Sequence, residues 1–110
     1  MEDILHQLRR TLAGDVHTDA ATREAMSQDA SIYELYPDVV IAPKTPTDIE
    51  KIVRLVAENK HAFPSLAITP RSAGTCMSGG PLGSSIVLDM TMYFHKIHQP
   101  EGSLVRVQPG

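Results

Sequence analysis

Hydrophobic residues recur at helical spacing at the start of the chain. This apolar face consists of Ile4, Leu5, Leu8 and Leu12. Gly14 follows the face as a natural helix stop, so the pattern predicts an amphipathic helix over the first dozen residues. The pattern weakens over residues 15–29, where Thr, Asp and Ser interrupt it, and it predicts only a short helix near residues 22–27.

The centre of the chain begins with a short, continuous apolar run. Residues 39–42 read Val-Val-Ile-Ala between Pro37 and Pro43, which predicts a strand buried on both faces. Thr47 and Glu50 then have the spacing of a capping box, which predicts a helix starting there and ending before a later proline, Pro64. Its predicted apolar stripe consists of Ile49, Ile52, Val53 and Val56.

Three further apolar segments predict strands at residues 66–68, at residues 86–88 and around Val105 and Val107. The order strand, helix, strand at the centre predicts a right-handed crossover between parallel strands. In such units ligands bind in the loops beyond the carboxyl ends of the strands. The loop that follows Ile68 is therefore the first place to look for a binding site.

Composition narrows the class of protein. A chain of 110 residues fits one domain and is small for an enzyme that must enclose a large cofactor and a substrate. A net charge of −3 and an aromatic content of 5% disfavour a nucleic-acid surface. The sequence contains no apolar run long enough for a membrane span and does not begin with a secretory signal pattern. With Cys76 as its single cysteine, the chain is expected to be cytoplasmic.

The loop between the second and third predicted central strands is rich in small residues. Four of the seven glycines lie in it, at positions 74, 79, 80 and 83, together with the hydroxyl residues Ser72, Thr75, Ser78 and Ser84. Glycines let successive backbone amides turn toward one anion, so the loop favours phosphate or diphosphate binding. The spacing fits neither a dinucleotide fingerprint nor a P-loop. By composition alone, a surface loop that binds nothing is equally well supported.

The amino-acid sequence of this loop also resembles that of a known family. Residues 70–80 read Pro-Arg-Ser-Ala-Gly-Thr-Cys-Met-Ser-Gly-Gly, and residues 81–90 continue as Pro-Leu-Gly-Ser-Ser-Ile-Val-Leu-Asp-Met. Together with Asp29-Ala30-Ser31 and with residues 37–58, they resemble the FAD-binding domain of the vanillyl-alcohol oxidase and p-cresol methylhydroxylase (PCMH-type) flavoproteins. The likeness runs from Asp29 to Gly110 and is nearest to the glycolate oxidase and D-lactate dehydrogenase branch.

The resemblance implies an α+β fold, the N-terminal subdomain of a PCMH-type FAD-binding domain, with a small parallel-strand sheet flanked by helices. Residues 1–28 would be a helical extension, and residues 29–110 would be the N-terminal part of the flavin domain, truncated at its C-terminus. The cofactor-binding residues implied by the family motif are Arg71, Ser72, Ala73, Gly74, Thr75, Cys76, Ser78, Gly79 and Gly80. Ser72 and Ala73 stand where glycines are frequent in the family. Because Thr75 stands about where covalent relatives carry a flavin-linking His, FAD is expected to be held non-covalently.

The function implied is that of an FAD-dependent oxidoreductase that oxidises a small 2-hydroxy acid of the glycolate or D-lactate type. The substrate would bind through a domain that these residues do not include, so the chain is not expected to catalyse alone, and no catalytic residue is assigned. Two alternatives within the fold are a cell-wall precursor reductase and a carbohydrate oxidase. Alternatives of another class are a non-catalytic phosphate-binding or nucleotide-binding module and a subunit that completes a partner's flavin site.

Other reactive side chains receive structural interpretations. His95 and His98 lack further ligands at metal-binding spacing, so no metal site is expected. Arg71 either supplies a charged donor at the rim of the anion site or anchors the loop against a carboxylate. Cys76 is interpreted as a packing residue rather than a reactive thiol, and Asp89 as the cap of the turn after its strand. The carboxylates interpreted as solvated surface are Glu2, Asp3, Asp19, Glu24, Asp29 and Glu34.

Overall fold

The computed structural model describes residues 1–110 and contains three helices and four strands. The helices are α1 (Glu2–Thr11), α2 (Ala20–Ala25) and α3 (Pro46–Asn59). The strands are β1 (Asp15–His17), β2 (Val39–Ala42), β3 (Ile68–Arg71) and β4 (Ile86–Asp89). The strands form one sheet in the order β1-β2-β4-β3, so the predicted α+β class is confirmed.

The centre of the sheet is parallel. β4 lies between β2 and β3 and pairs parallel with both, with Val40 opposite Val87 and Thr69 opposite Val87. β2 and β3 are therefore parallel, as predicted, but they are not neighbours, because the later strand β4 is inserted between them. All residues of β2 and β4 are buried, as the continuous apolar runs indicated.

Two edge strands complete the sheet. The three-residue strand β1 pairs antiparallel with β2, placing Val16 opposite Ile41, and the sequence analysis missed it because one apolar residue in three makes no pattern. On the other edge, β3 begins later than predicted and continues through Pro70 to Arg71. Proline is tolerated there because an edge strand leaves one side without ladder hydrogen bonds.

The helix α3 begins at Pro46, and its N-cap is Thr45, whose hydroxyl accepts the N–H of Asp48 at 3.3 Å. The predicted capping box of Thr47 and Glu50 was therefore wrong by two residues, because proline at the first helical position fixes the helix start earlier. The prediction of which face of α3 is buried was also partly wrong. Leu55 is buried with Ile52, whereas Val53 is half exposed to solvent.

The hydrophobic core lies between the sheet, α1 and α3. Its buried members are Ile4, Leu8, Val39, Ile41, Ile52, Leu55, Leu66, Ile86, Leu88, Met90 and Phe94. The predicted first helix is confirmed as α1, which contributes two of these side chains. None of the helices is both long enough and apolar enough to cross a membrane.

The predicted strand around Val105 and Val107 was wrong. The structure has only two isolated bridges in this region, between Ile97 and Val107 and between Glu101 and Leu104, and the side chain of Val107 is 57% exposed. Alternating apolar residues indicate a strand only where a continuous ladder and a core are available to them. This segment pairs with residues 96–98 at isolated positions only, and Val105 and Val107 stay exposed.

One buried carboxylate, that of Asp48, connects two turns of the fold. Asp48 at the start of α3 accepts N–H groups from Ala13, Gly14 and Lys44, each at 2.9 Å. It thereby fixes the turn between α1 and β1 to the turn between β2 and α3. Burial alone would raise the pKa of the Asp48 carboxyl, but these N–H groups outweigh burial and lower it.

Candidate functional site

The glycine-rich loop connects the carboxyl end of β3 to the start of β4 and spans residues 72–85. Arg71, the first predicted site residue, is the last residue of β3, and the other eight lie in this loop. The loop therefore occupies the sheet edge at which ligands bind in parallel α/β units.

The loop and the end of β3 surround a cleft of about 360 Å³. Its lining residues are Pro70, Ser72, Ala73, Gly74, Thr75, Cys76, Gly80 and Pro81. Six of the nine predicted site residues thus line one cleft, while Arg71, Ser78 and Gly79 lie outside its lining. The lining contains no acidic side chain, so nothing in the wall repels a negatively charged ligand.

The backbone amides of the loop are available as donors. The N–H groups of residues 72–77 donate to no acceptor within the protein. Further along, the N–H of Ser78 reaches the Cys76 sulfur at 3.4 Å and that of Leu82 the Gly79 carbonyl at 3.1 Å. Successive unpaired amides beside a cleft are suited to binding an anion such as a diphosphate.

Two glycines of the loop have a backbone conformation that other residues rarely adopt. Gly74 has φ +69° and Gly79 has φ +78°, so each reverses the chain direction at low cost. Gly74 also lies directly against a side chain, because a Cβ added to it would be 2.7 Å from Cζ of Arg71. Glycine at position 74 is therefore required both for the turn and for close packing.

Arg71 anchors the loop. Its side chain is buried, and its guanidinium donates to the Gln28 carbonyl at 2.7 Å and to the Met26 carbonyl at 3.3 Å. Of the two roles left open by the sequence, the structure favours the anchor, with backbone carbonyls as the acceptors in place of a carboxylate. Direct contact between Arg71 and a cofactor stays a prediction.

Asp29 lies beside this anchor and was wrongly interpreted as solvated surface. Its Oδ1 accepts the Ser31 N–H at 2.8 Å, while its Oδ2 is enclosed and has no hydrogen-bond partner. Burial raises the pKa of Asp29, but Ser31, the Gly79 N–H and the Arg71 charge outweigh burial and lower it. The available signal was the Asp29-Ala30-Ser31 motif, whose spacing suits a side chain that bonds the backbone two residues on.

Cys76 is the one thiol and is half-buried in the cleft wall. The N–H groups of Ser78 and Gly80 lower the pKa of this thiol.

Asp89, at the end of β4, accepts both the N–H and the hydroxyl of Thr91, at 2.9 and 2.6 Å. The prediction that Asp89 caps the turn after β4 is confirmed.

A larger cleft, of about 630 Å³, lies in the hairpin near the C-terminus. Its lining residues are His98, Gln99, Glu101, Leu104, Val105 and Arg106. It shares no residue with the loop, and its lining includes the acidic side chain of Glu101, which would repel an anion. The loop is the better candidate site because its chemistry, rather than its size, matches a ligand.

Comparison with known proteins identifies the class of protein. Residues 37–110 match the FAD binding domain family, and the chain belongs to this family. The resemblance found in the sequence is thereby confirmed, and FAD is the cofactor that this domain implies. The small uncharged lining and the unpaired amides fit a diphosphate, the part of FAD that needs anion-binding groups.

The particular relatives are dehydrogenases. The chain is 40% identical over 99 residues to a D-2-hydroxyglutarate dehydrogenase of Escherichia coli (strain K12), covering 88% of this chain and 10% of that protein. It is 32% identical over 111 residues to the protein of the same name from Pseudomonas putida, covering 98% of this chain and 11% of that protein. The chain thus spans about a tenth of the length of these curated relatives.

Solved structures confirm the fold. An alkyldihydroxyacetonephosphate synthase superposes with a TM-score of 0.73, covering 92% of this chain and 20% of the synthase. The two sequences are only 14% identical. The likeness therefore concerns the fold alone, since one fold supports many chemistries.

Proposed function

We propose that the loop of residues 71–80 binds the diphosphate of FAD in a flavin-dependent dehydrogenase that oxidises a 2-hydroxy acid. The observation that carries this proposal is the run of unpaired amides at residues 72–77 beside a cleft without acidic side chains. The nine residues Arg71, Ser72, Ala73, Gly74, Thr75, Cys76, Ser78, Gly79 and Gly80 form the proposed cofactor site.

These residues divide into two roles. Six of them line the cleft and would contact the ligand through backbone amides, with the hydroxyls of Ser72 and Thr75 as additional donors. Arg71, Ser78 and Gly79 lie outside the lining and would shape the loop from behind. They would do so through the hydrogen bonds of the Arg71 guanidinium, the Ser78 N–H to the Cys76 sulfur, and the reversed turn at Gly79. Uncharged N–H and hydroxyl donors suit a diphosphate because they can stabilise its negative charge by hydrogen bonds to its oxygens.

The proposed substrate is D-2-hydroxyglutarate or a closely similar 2-hydroxy acid. Support comes from the names of the relatives, which make this substrate preferable to glycolate or D-lactate. When bound, the flavin supplies the acceptor for the two electrons removed from the hydroxyl-bearing carbon. We assign no base and no substrate-binding group to these residues; both would come from a further domain.

We propose that FAD is bound non-covalently. No histidine lines the cleft, and by the family resemblance Thr75 stands about where covalent relatives carry the linking residue. Acid precipitation of the purified protein is expected to release the flavin into the supernatant. Flavin absorbance that stays with the precipitate would contradict a dissociable cofactor.

We also propose a cytoplasmic location. A single free thiol supports it. Cell fractionation with an antibody to the protein tests it, and recovery in the periplasmic or membrane fraction would overturn it.

The proposed function is tested with the full-length natural protein. We expect it to be yellow as purified, and we expect FAD, added at about 100 times its Kd to flavin-free protein, to stabilise it by about 2.7 kcal/mol. Under anaerobic conditions D-2-hydroxyglutarate is expected to bleach the flavin band, whereas its L-enantiomer serves as the matched control. Bleaching is the direct readout of electron transfer to the flavin.

Each rival function gives a different result in this experiment. A non-catalytic nucleotide-binding module or a partner subunit would be stabilised by FAD or ADP without bleaching by any hydroxy acid. A cell-wall precursor reductase would be bleached by a nicotinamide donor, and a carbohydrate oxidase by a sugar. Absence of both colour and stabilisation would refute the flavin site itself.

A further inference from the structure

Residues 96–108 form a hairpin, which we refer to as the C-terminal hairpin. The N–H of His98 donates to the Arg106 carbonyl at 2.9 Å. The N–H of Gln108 donates to the Lys96 carbonyl, also at 2.9 Å. These bonds give the two arms of the hairpin a fixed antiparallel register.

One face of the C-terminal hairpin is apolar. Ile97 and Val107 lie opposite each other between the two hydrogen bonds, so their side chains lie on the same face. Val105 shares this face because alternate residues of an extended chain point to the same side. The opposite face carries the polar side chains of Lys96, His98, Arg106 and Gln108.

The apolar face is in contact with solvent. The side chains of Ile97, Val105 and Val107 are 78%, 50% and 57% exposed, respectively, and none of them belongs to the hydrophobic core. Antiparallel strands with one apolar and one polar face normally pack the apolar face against a second layer. Two strands without such a layer are at best marginally stable in water. The pattern therefore indicates a face that further polypeptide covers.

The C-terminal hairpin lies within residues 37–110, which match the FAD binding domain family, so it is part of the flavin-binding fold. The chain spans about a tenth of the length of the D-2-hydroxyglutarate dehydrogenases and a fifth of the alkyldihydroxyacetonephosphate synthase. In proteins of that length, most of the polypeptide lies outside the part that this chain covers. That polypeptide is a source for the covering layer.

A second copy of the chain fits the apolar face less well. Stable association of separate chains buries about 800 Å² on each partner and uses about 20–30 residues a side. The apolar face offers only the side chains of Ile97, Val105 and Val107. A segment of the same polypeptide does not lose the translational freedom that separate chains lose on binding, so a small face is sufficient for it.

We propose that the apolar face of Ile97, Val105 and Val107 is the docking surface for the remainder of the flavin-dependent dehydrogenase. The occupant is an apolar layer of that further polypeptide, and the polar face with Lys96 and Arg106 stays in water. This inference rests on the proposed function, because the occupant is the rest of the proposed enzyme. It goes beyond that function, since the docking surface shares no residue with the cofactor loop.

Cysteine labelling in the full-length natural protein tests the docking surface. Val107→Cys places a thiol on the apolar face, and the matched control Arg106→Cys places one on the polar face. The reaction of each thiol with a maleimide is followed by peptide mapping with mass spectrometry. Because a covered side chain reacts only after local opening, Val107→Cys should react at least about tenfold more slowly than Arg106→Cys. Equal rates would overturn the inference.

Protein concentration separates the two occupants. Protection of Val107→Cys by the rest of the same polypeptide does not depend on concentration, whereas protection by a second copy is lost on dilution below the Kd of the dimer. Loss of protection on dilution, together with a dimer mass in light scattering, would overturn the inference in favour of a second copy.

Thermal melting of the full-length protein gives an independent check. Val107→Gln should lower the Tm by at least about 2 °C, because it places a polar amide in an apolar layer, whereas Arg106→Gln should melt like the wild type. An unchanged Tm for Val107→Gln would contradict the docking surface. Failure of Val107→Gln alone to fold would support it, because a substitution at a solvent-exposed site changes stability little.

Failure of the proposed function would give a different result. A full-length protein that binds no flavin but protects Val107→Cys would refute the flavin site and leave the docking surface in place. A yellow protein in which Val107→Cys and Arg106→Cys react equally fast would keep the flavin site and exclude the docking surface.

Discussion

Replacing Gly74 by alanine tests the packing of the loop on its anchor. Gly74 has φ +69°, and an added Cβ would collide with the guanidinium of Arg71. Gly102 provides a matched control, because it has φ +62° but an added Cβ there meets no atom within 4 Å. The two substitutions share the backbone strain, and only Gly74→Ala also displaces a side chain.

The expected energies differ for that reason. The left-handed conformation costs a residue with a Cβ about 1–2 kcal/mol, and this penalty applies to both variants. Displacing Arg71 also weakens its 2.7 Å hydrogen bond to the Gln28 carbonyl, and a bond from a charged donor contributes about 1.5–3 kcal/mol. Gly74→Ala should therefore lower the free energy of unfolding by about 2.5–5 kcal/mol, against about 1–2 kcal/mol for Gly102→Ala.

Urea denaturation followed by circular dichroism measures these free energies, and fluorescence titration with FAD measures the effect on the site. Gly74→Ala should weaken FAD binding at least about tenfold, because Arg71 no longer holds the loop in place. Gly102→Ala should bind like the wild type. Equal destabilisation of the two variants, with equal FAD affinity, would show that Arg71 does not support the loop as described.

Three further predictions concern stability. Asp48→Ala removes the acceptor of three buried N–H groups and should cost about 3 kcal/mol or more of unfolding free energy in urea; a loss under about 1 kcal/mol would contradict this. Because the pKa of Asp48 is lower in the folded state than its ordinary 3.8, the stability it contributes is complete above the unfolded pKa and disappears as pH falls through the folded pKa. The urea midpoint of the wild type should thus drop below about pH 4, and that of Asp48→Asn should drop less; parallel pH profiles would exclude Asp48 as the cause. Asp89→Ala should cost roughly 1 kcal/mol by uncapping the turn at Thr91, and an unchanged melting temperature would argue against the cap.

The cofactor loop was predictable because its signal is local. Glycines and hydroxyl residues cluster between two strands, and the order of letters in residues 70–80 carries the family likeness. The anchoring role of Arg71 was only one of two possibilities, because its acceptors, the carbonyls of Met26 and Gln28, lie 45 and 43 residues away along the chain. The enclosure of Asp29 likewise depends on groups that folding brings around it.

The hydrophobic pattern by itself determined the first helix, the central helix and the two buried strands β2 and β4, because burial on a regular element repeats at that element's period. Only the tertiary structure decided that β4 lies between β2 and β3, that Asp15–His17 pairs as an edge strand, and that the segment around Val107 forms no strand. Pairing is a property of two segments at once, and its free energy comes from contacts between residues distant in sequence. The amino-acid sequence of a segment therefore limits which secondary structures it can form. Its neighbours in the fold decide which of these it adopts.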